Sequence, residues 1–137
     1  MNKTNLSHIQ INIDPKNKPF YKDLLTFLGW SMIMEEAEFM GMGCEIGPSL
    51  WFCPPIKKVN NDYDGIGMNH LGIYTKTQKE VDEAVEYLKQ HQIQPLFETP
   101  RHRPEFCRDA EQTYYQVMFE SPDHILFEIV YSGPLAK

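Results

Sequence analysis

The chain has 137 residues, of which 42% are hydrophobic and 23% are charged, and this length predicts one domain, residues 1–137, with a core of its own. A net charge of -6 without a basic run argues against nucleic acid and membrane surfaces as partners. No apolar segment reaches the length of a signal-sequence core or a membrane span, and the three cysteines lack metal-clip spacing. We therefore expect a cytoplasmic protein with reduced thiols.

The first half of the chain predicts one strand, one helix and three short strands. Apolar and polar residues alternate over residues 6–13, which is typical of a half-buried strand. Apolar residues then recur with helical spacing over residues 20–28, and Gly29 is expected to end that helix. Three apolar clusters punctuated by glycine and proline follow in residues 30–54 and predict a meander of strands.

The same order of elements repeats after a segment rich in turn-forming residues. Residues 68–75 predict a strand, and Thr77 with Glu80 forms the capping box of a second amphipathic helix. Further strand patterns follow the helix, so the chain predicts a β-α-β-β-β unit written twice. The first repeat is residues 5–54, the linker is residues 55–66, and the second repeat is residues 67–131.

The last strands predict a β-hairpin that carries one unexpected charge. Residues 114–119 and 125–131 are rich in aromatic and β-branched residues, and Ser-Pro-Asp-His between them is a turn signal. In the second strand, Glu128 shares a face with Leu126 and Val130. A buried, unpaired carboxylate costs several kcal/mol, so Glu128 must reach water, a cation or a metal ion.

Two histidines occupy equivalent positions in the two repeats. His8 and His70 lie near the starts of the opening strands, each on the face opposite an aliphatic row. If those rows pack on the helices, both histidines and Glu128 point to the concave side of the sheets. Two imidazoles and one carboxylate suit a divalent transition ion that keeps open coordination positions. The alternative on the residues alone is that each of the three is a structural or solvated side chain.

The paired modules and the closing segment Tyr114–Glu128 resemble the vicinal oxygen chelate superfamily. Its members include lactoylglutathione lyases, ring-cleaving dioxygenases, fosfomycin-resistance enzymes and bleomycin-binding proteins. The resemblance spans residues 5–131 and implies an α+β fold, in which two βαβββ modules pair curved mixed sheets around a central metal and ligand cavity. It also implies a homodimer, and a divalent ion (Zn, Ni, Mn or Fe(II)) bound by His8, His70 and Glu128.

Departures from the family pattern leave the reaction open. Lactoylglutathione lyases use a further glutamate from the last strand of the first half, where Ser49–Cys53 contains no carboxylate and only Glu45 is near in sequence. Gln10 stands where fosfomycin-resistance enzymes tend to carry a hydroxyl residue. His124 replaces the usual glycine of the hairpin turn. The resemblance therefore favours the superfamily without selecting one of its activities.

Residues 99–113 predict a long loop of the kind that often forms a lid or a binding loop. Arg101 and Arg103 lie between stiffening prolines, and their guanidinium groups suit contact with an anionic small-molecule substrate. The alternative is a solvated crossover whose arginines pair with acidic residues of the same segment.

The leading functional hypothesis is a small metal-dependent lyase, isomerase or dioxygenase whose ion chelates adjacent oxygens of a small molecule. Tyr115 and Glu45 are the candidate general bases, and Trp51 is expected to border the substrate pocket. The alternative is a metal-free protein that binds a small toxic or antibiotic molecule, although binding alone does not require three ligand-type residues.

Overall fold

The chain folds as two successive units with the same order of elements. The computed structural model describes residues 2–135. One unit ends at Asn60 and the other begins at Asn61, so the division falls inside the predicted linker at residues 55–66. Each unit contains one four-stranded mixed sheet and one main helix, and the predicted α+β class with two βαβββ modules is confirmed. Within residues 2–135, neither helix combines the length and apolarity that a bilayer crossing requires.

The first unit is a sheet covered by one helix. The elements are β1 (His8–Asn12), α1 (Lys18–Phe27), β2 (Ser31–Glu35), β3 (Met40–Gly43) and β4 (Ser49–Cys53). The strands lie in the order β1-β4-β3-β2, with β1 parallel to β4 and the other neighbours antiparallel. A short 3-10 turn at Pro15–Asn17 connects β1 to the helix.

Helix α1 begins and ends where the sequence predicts. Pro19 occupies its first turn, where a missing backbone N–H costs nothing. Gly29 follows it with a φ of 87°, a left-handed conformation that glycine adopts without steric penalty. The helix buries Tyr21, whose ring packs against that of Phe52 in β4 at a centroid distance of 4.7 Å. The helix therefore covers one face of the sheet.

The second unit repeats this arrangement. The elements are β5 (His70–Tyr74), α2 (Gln78–Gln90), β6 (Leu96–His102), β7 (Gln112–Glu120) and β8 (Leu126–Pro134). The strands lie in the order β5-β8-β7-β6, again with the first pair parallel and the others antiparallel. The helix packs on β7 and β8 through an apolar stripe in which Val81, Ala84 and Leu88 are fully buried.

The predicted closing hairpin is present and longer than expected at its open end. Its turn is held by Ser121, whose hydroxyl oxygen accepts from the backbone N–H groups of Asp123 at 3.3 Å and Ile125 at 3.1 Å. His124 has a φ of 58°, the left-handed conformation for which the family pattern uses glycine. Glu120 pairs with Leu126 across the turn, and this register fixes which residues of β7 lie beside those of β8.

The prediction of one long loop over residues 99–113 is wrong in its first part. Strand β6 continues to His102, and a 3-10 turn at Pro104–Phe106 follows. The pairing of β6 with β7 is interrupted between Leu96 and Arg101, and Phe97 has a φ of 57° within that interruption. Phe97 and Glu98 both take this left-handed conformation in place of glycine, so the sequence carries no turn signal there and the loop pattern conceals the strand.

The capping box of α2 provides a test of how the second unit is stabilised. The Thr77 hydroxyl accepts from the Glu80 backbone N–H at 3.3 Å, and the Glu80 carboxylate accepts from the Thr77 N–H at 2.8 Å. Thr77→Ala should lower the free energy of unfolding by about 1 kcal/mol, measured by urea denaturation. Thr77→Ser keeps the hydroxyl and should stay close to the wild type; equal losses in both variants would contradict the capping role.

Candidate functional site

Glu128 lies on the face of the second sheet that α2 leaves uncovered. Its cross-strand neighbours are Met118 in β7 and Gly72 in β5. The adjacent residues Phe127 and Ile129 point to the helix-covered face and belong to the core. The Glu128 side chain is only 4% exposed, so its carboxylate is removed from bulk water and requires partners.

Three side chains surround the Glu128 carboxylate, and two of them donate hydrogen bonds to it. One oxygen, Oε1, accepts from the Tyr114 hydroxyl at 2.6 Å and from Gln116 Nε2 at 2.9 Å. The other oxygen, Oε2, lies 3.0 Å from His70 Nε2. Burial and the neighbouring carboxylate raise the pKa of Tyr114 well above its usual value, so this phenol keeps its proton and donates at neutral pH.

The Gln116 amide has its orientation fixed from the other side. Its Oε1 accepts from Arg103 Nη1 at 3.2 Å, and an arginine can only donate. Arg103 also contacts Glu105 through its Nε at 2.5 Å, and its guanidinium lies 4.8 Å from the Phe106 ring centroid. The guanidinium of Arg103, which was predicted to contact substrate, is thus bound by side chains of the protein itself. Its ion pair with Glu105 is of the kind that the alternative prediction described.

His70 is oriented by a neighbour on its other ring nitrogen. Its Nδ1 lies 2.8 Å from Asn69 Oδ1, while Asn69 Nδ2 donates to the backbone carbonyl of Tyr63 at 2.9 Å. The Tyr63 hydroxyl donates to Glu120 Oε1 at 2.5 Å, and this contact raises the pKa of Tyr63 to about 12. The same hydrogen bond lowers the pKa of the Glu120 carboxyl, which keeps it charged.

Gly72 provides the space in which His70 and Glu128 approach each other. It lies between them in the parallel pairing, because His70 pairs with Leu126 and Gly72 pairs with Glu128. A β-carbon at position 72 would contact Glu128 Oε2 at 3.4 Å. That distance is ordinary van der Waals contact, so alanine would fit there without displacing the carboxylate.

In the first unit, His8 borders an open groove of about 450 Å³, which is also lined by Gln10, Phe39, Trp51 and Cys53. His8 is exposed, and its Nδ1 lies 3.0 Å from the Ser7 hydroxyl. Trp51 lies on this groove, and its role in a substrate pocket stays a prediction. The groove is on the face opposite α1.

The Trp51 ring is set in place by two neighbours. Its indole N–H donates to the Ser49 hydroxyl at 2.9 Å. The ring also lies over Gly41 in β3, where an added β-carbon would be only 2.6 Å from the ring atoms. Glycine at position 41 therefore allows the indole to lie flat on the sheet.

The two predicted general bases belong to different units, Tyr115 to the second and Glu45 to the first. The Tyr115 hydroxyl donates to Asp82 Oδ1 of α2 at 2.8 Å, which places Tyr115 on the helix-covered face. Burial and then the Asp82 contact raise the pKa of Tyr115 to about 12. Glu45 is in the first unit, in the exposed connection between β3 and β4. Sequence reasoning missed Tyr114, which takes the place beside Glu128.

Arg101 has donor capacity that the described residues do not use. It pairs with Gln116 in the sheet register and so shares the face of Glu128. Its Nη1 is 3.7 Å from Glu98 Oε2, a long contact to an exposed carboxylate. Its Nε is buried and has no hydrogen-bond partner within residues 2–135. Arg101 therefore remains suited to the predicted contact with an anionic group.

The ligand-type residues form a pair in the second unit and a single histidine in the first. Neither unit by itself, over residues 2–135, gathers three His, Cys, Asp or Glu side chains as a metal-binding group. In the second unit, the donor set of an imidazole nitrogen and a carboxylate oxygen, 3.0 Å apart, fits a divalent transition ion. The hydrogen bonds of Asn69, Tyr114 and Gln116 are the outer contacts that orient such ligands.

Comparisons with solved structures identify the fold. The chain is similar to a candidate glyoxalase from Bacillus halodurans, with 24% identity, a TM-score of 0.78, and coverage of 94% of this chain and 96% of that one. It is similar to a lactoylglutathione lyase from Agrobacterium tumefaciens, with 18% identity, a TM-score of 0.67, and coverage of 95% of both chains.

A third similar structure is that of the fosfomycin-resistance protein FosX from Listeria monocytogenes in complex with Mn(II) and sulfate. Its identity is 22% and its TM-score is 0.67, and the match covers 98% of this chain and 94% of that one. No protein-family model and no curated protein matches the sequence. The predicted resemblance to the vicinal oxygen chelate superfamily is thus confirmed for the fold.

The Gln116 amide offers a test of how the buried carboxylate is compensated. Gln116→Met removes one donor to Glu128 and the acceptor of Arg103, so the free energy of unfolding should fall by about 1–3 kcal/mol in urea denaturation. Gln112→Met on the same face of β7, away from Glu128, should change it by less than about 0.5 kcal/mol. Similar losses in the two variants would show that Gln116 does not support the carboxylate.

Proposed function

We propose that the protein is a small metal-dependent enzyme of the glyoxalase and dioxygenase type, with a divalent ion held by His8, His70 and Glu128. The observation that supports it best is the 3.0 Å approach of His70 Nε2 to Glu128 Oε2. The other polar atoms of both side chains, His70 Nδ1 and Glu128 Oε1, are already hydrogen bonded. This leaves a nitrogen and an oxygen as ligands that Zn, Ni, Mn and Fe(II) accept.

His8 is the third proposed ligand because of its equivalence to His70. Each histidine is the first residue of the first strand of its unit, and each strand is parallel to the last strand of its sheet. Both histidines lie on the face that the helix does not cover. The same position in the same module gives His8 the same proposed role.

The ion, when bound, would polarise adjacent oxygens of a small molecule and stabilise a developing enolate or oxyanion as a Lewis acid. Tyr114 and Gln116 hold the Glu128 carboxylate in one orientation during that chemistry. Glu45 stays in the proposal as a candidate base, since its carboxylate is exposed. Tyr115 does not, because its hydroxyl is bonded to Asp82 on the opposite face.

The proposed substrate is a small molecule with an anionic group. Arg101 would bind that group through the guanidinium N–H groups that do not contact Glu98. The planar guanidinium matches the geometry of carboxylates and phosphates. The rings of Trp51 and Phe39 in the groove of the first unit offer apolar contact area.

We also propose a cytoplasmic location. The three cysteines are free thiols, which agrees with a reducing compartment.

Metal binding by purified protein tests the proposal directly. Chelator-treated wild-type protein should bind Zn(II) or Mn(II) in isothermal titration calorimetry, with one ion per chain. His70→Ala removes a ligand and should weaken binding by at least about 100-fold, that is by about 2.7 kcal/mol. His8→Ala should have an effect of the same kind, because it removes the third ligand.

His91→Ala is the matched control, since His91 is an exposed histidine at the end of α2 and should leave binding unchanged. Absence of binding in the wild type, or equal binding in His70→Ala, would contradict the metal-dependent enzyme. That result would favour the alternative, a metal-free protein that binds a small toxic or antibiotic molecule.

We propose that the protein is a homodimer, and a mixture of variants tests how its sites are built. Wild-type protein should sediment as a dimer, and a monomer would contradict the proposal. His8→Ala and Glu128→Gln chains, refolded together in equal amounts, regain metal sites only if each site takes His8 from one chain and Glu128 from the other. Random pairing would then restore about one quarter of the wild-type sites, whereas sites formed within single chains would stay lost.

A further inference from the structure

The Asn69 side chain has only one orientation that satisfies both of its contacts. An asparagine amide can donate from its nitrogen and accept at its oxygen, so its partners decide which end lies where. One partner is the backbone carbonyl of Tyr63, which can only accept, so the amide nitrogen must face it at 2.9 Å. The amide oxygen is then the atom that faces His70 Nδ1 at 2.8 Å.

The Tyr63 carbonyl is itself held in position. The Tyr63 hydroxyl donates to Glu120 on β7 at 2.5 Å. Two residues earlier, Asn61 Nδ2 donates to the backbone carbonyl of His124 in the hairpin turn at 2.7 Å. The segment that leads into β5 is therefore fastened to the β7–β8 hairpin, and Asn69 receives its orientation from a fixed group.

This orientation determines which nitrogen of His70 carries the hydrogen. Because Asn69 Oδ1 only accepts, His70 Nδ1 must donate to it, and in the neutral imidazole Nε2 then carries a lone pair. Nε2 faces Glu128 Oε2 at 3.0 Å, whereas both donors to the carboxylate, Tyr114 and Gln116, bind its other oxygen. In that neutral state two electron-pair donors face each other, and a cation shared between them, either a metal ion or a second proton on His70, relieves their repulsion.

We infer that Asn69 is a positioning residue that selects the Nδ1–H tautomer of His70 and so keeps Nε2 available as a metal ligand. The inference rests on the proposed function for the metal, but its statement about the tautomer holds for the metal-free protein. Without Asn69, the Nε2–H tautomer can donate directly to Glu128 Oε2. That hydrogen bond would satisfy both groups and occupy the ligand atom.

Substitutions at Asn69 separate the two tautomers. Asn69→Leu has nearly the same size but cannot accept a hydrogen bond, whereas Asn69→Asp keeps an oxygen that accepts from Nδ1. Long-range ¹H–¹⁵N correlation spectra of histidine-labelled, metal-free protein report the tautomer, at a pH where the His70 imidazole is neutral. We expect Nδ1–H in the wild type and in Asn69→Asp, and a shift to Nε2–H in Asn69→Leu.

Zn(II) affinity provides the second measurement. Asn69→Leu should bind Zn(II) about 10–100-fold more weakly than the wild type, as loss of an orienting contact to a ligand does. Asn69→Asp should stay within about threefold of the wild type because its acceptor remains. Asn60→Leu is the matched control: it removes an exposed amide of the linker that the contacts of Tyr63 and His70 do not use, and should change neither the tautomer nor the affinity.

The outcomes distinguish this inference from the proposed function. An Nε2–H tautomer in the wild type, or an unchanged tautomer in folded Asn69→Leu, would overturn the role of Asn69 whether or not metal binds. If the expected tautomers are found but Zn(II) does not bind, the role of Asn69 is supported and the proposal of a metal-dependent enzyme is contradicted. If Asn69→Leu does not fold, Asn69→Ala tests the same loss of the acceptor, and an equal effect of Asn60→Leu would also overturn the inference.

Discussion

The buried carboxylate of Glu128 is the constraint on which the second unit depends. A charge placed in the middle of a strand destabilises the fold by several kcal/mol unless hydrogen bonds or an opposite charge compensate it. The compensation here comes from β7, where Tyr114 and Gln116 donate to one carboxylate oxygen, while His70 from β5 lies 3.0 Å from the other. These contacts exist only in the observed register, so the arrangement that satisfies the carboxylate also aligns the strands around it.

The same hairpin serves two different environments because side chains alternate along a strand. Tyr114 and Tyr115 are adjacent in sequence, yet one hydroxyl binds Glu128 on the open face and the other binds Asp82 on the helix side. The helix side contains the stacked rings of Phe119 and Phe127, with centroids 5.6 Å apart. The apolar face of the hairpin thus stabilises the unit, while its opposite face carries the polar side chains of the site. Consecutive residues of one strand belong to these two faces in turn.

Much of the fold could be predicted from local patterns, because those patterns depend on near neighbours in the chain. The capping box at Thr77, the helix end at Gly29 and the hairpin turn each follow from a few residues. Glu128 was recognisable as a charge on an apolar strand, and alternation carried through the turn places Tyr114 on its face. The bulge in β6 was not predictable, since Phe97 gives no signal for its left-handed backbone. The pairing of Arg103 with Gln116 depends on that strand, so it was equally hidden.

Gly72 is the residue of β5 that lies directly opposite Glu128 in the sheet. Glycine inside a strand is less favourable than a β-branched residue, and here its lack of a side chain leaves room for the carboxylate beside it. A β-carbon at position 72 would lie at ordinary van der Waals distance from Oε2, so alanine fits beside the acid. The branches of valine or isoleucine begin one atom further out, on the side where the carboxylate lies. Position 72 is therefore the place in β5 where strand propensity and the room needed by a polar site compete for the same space.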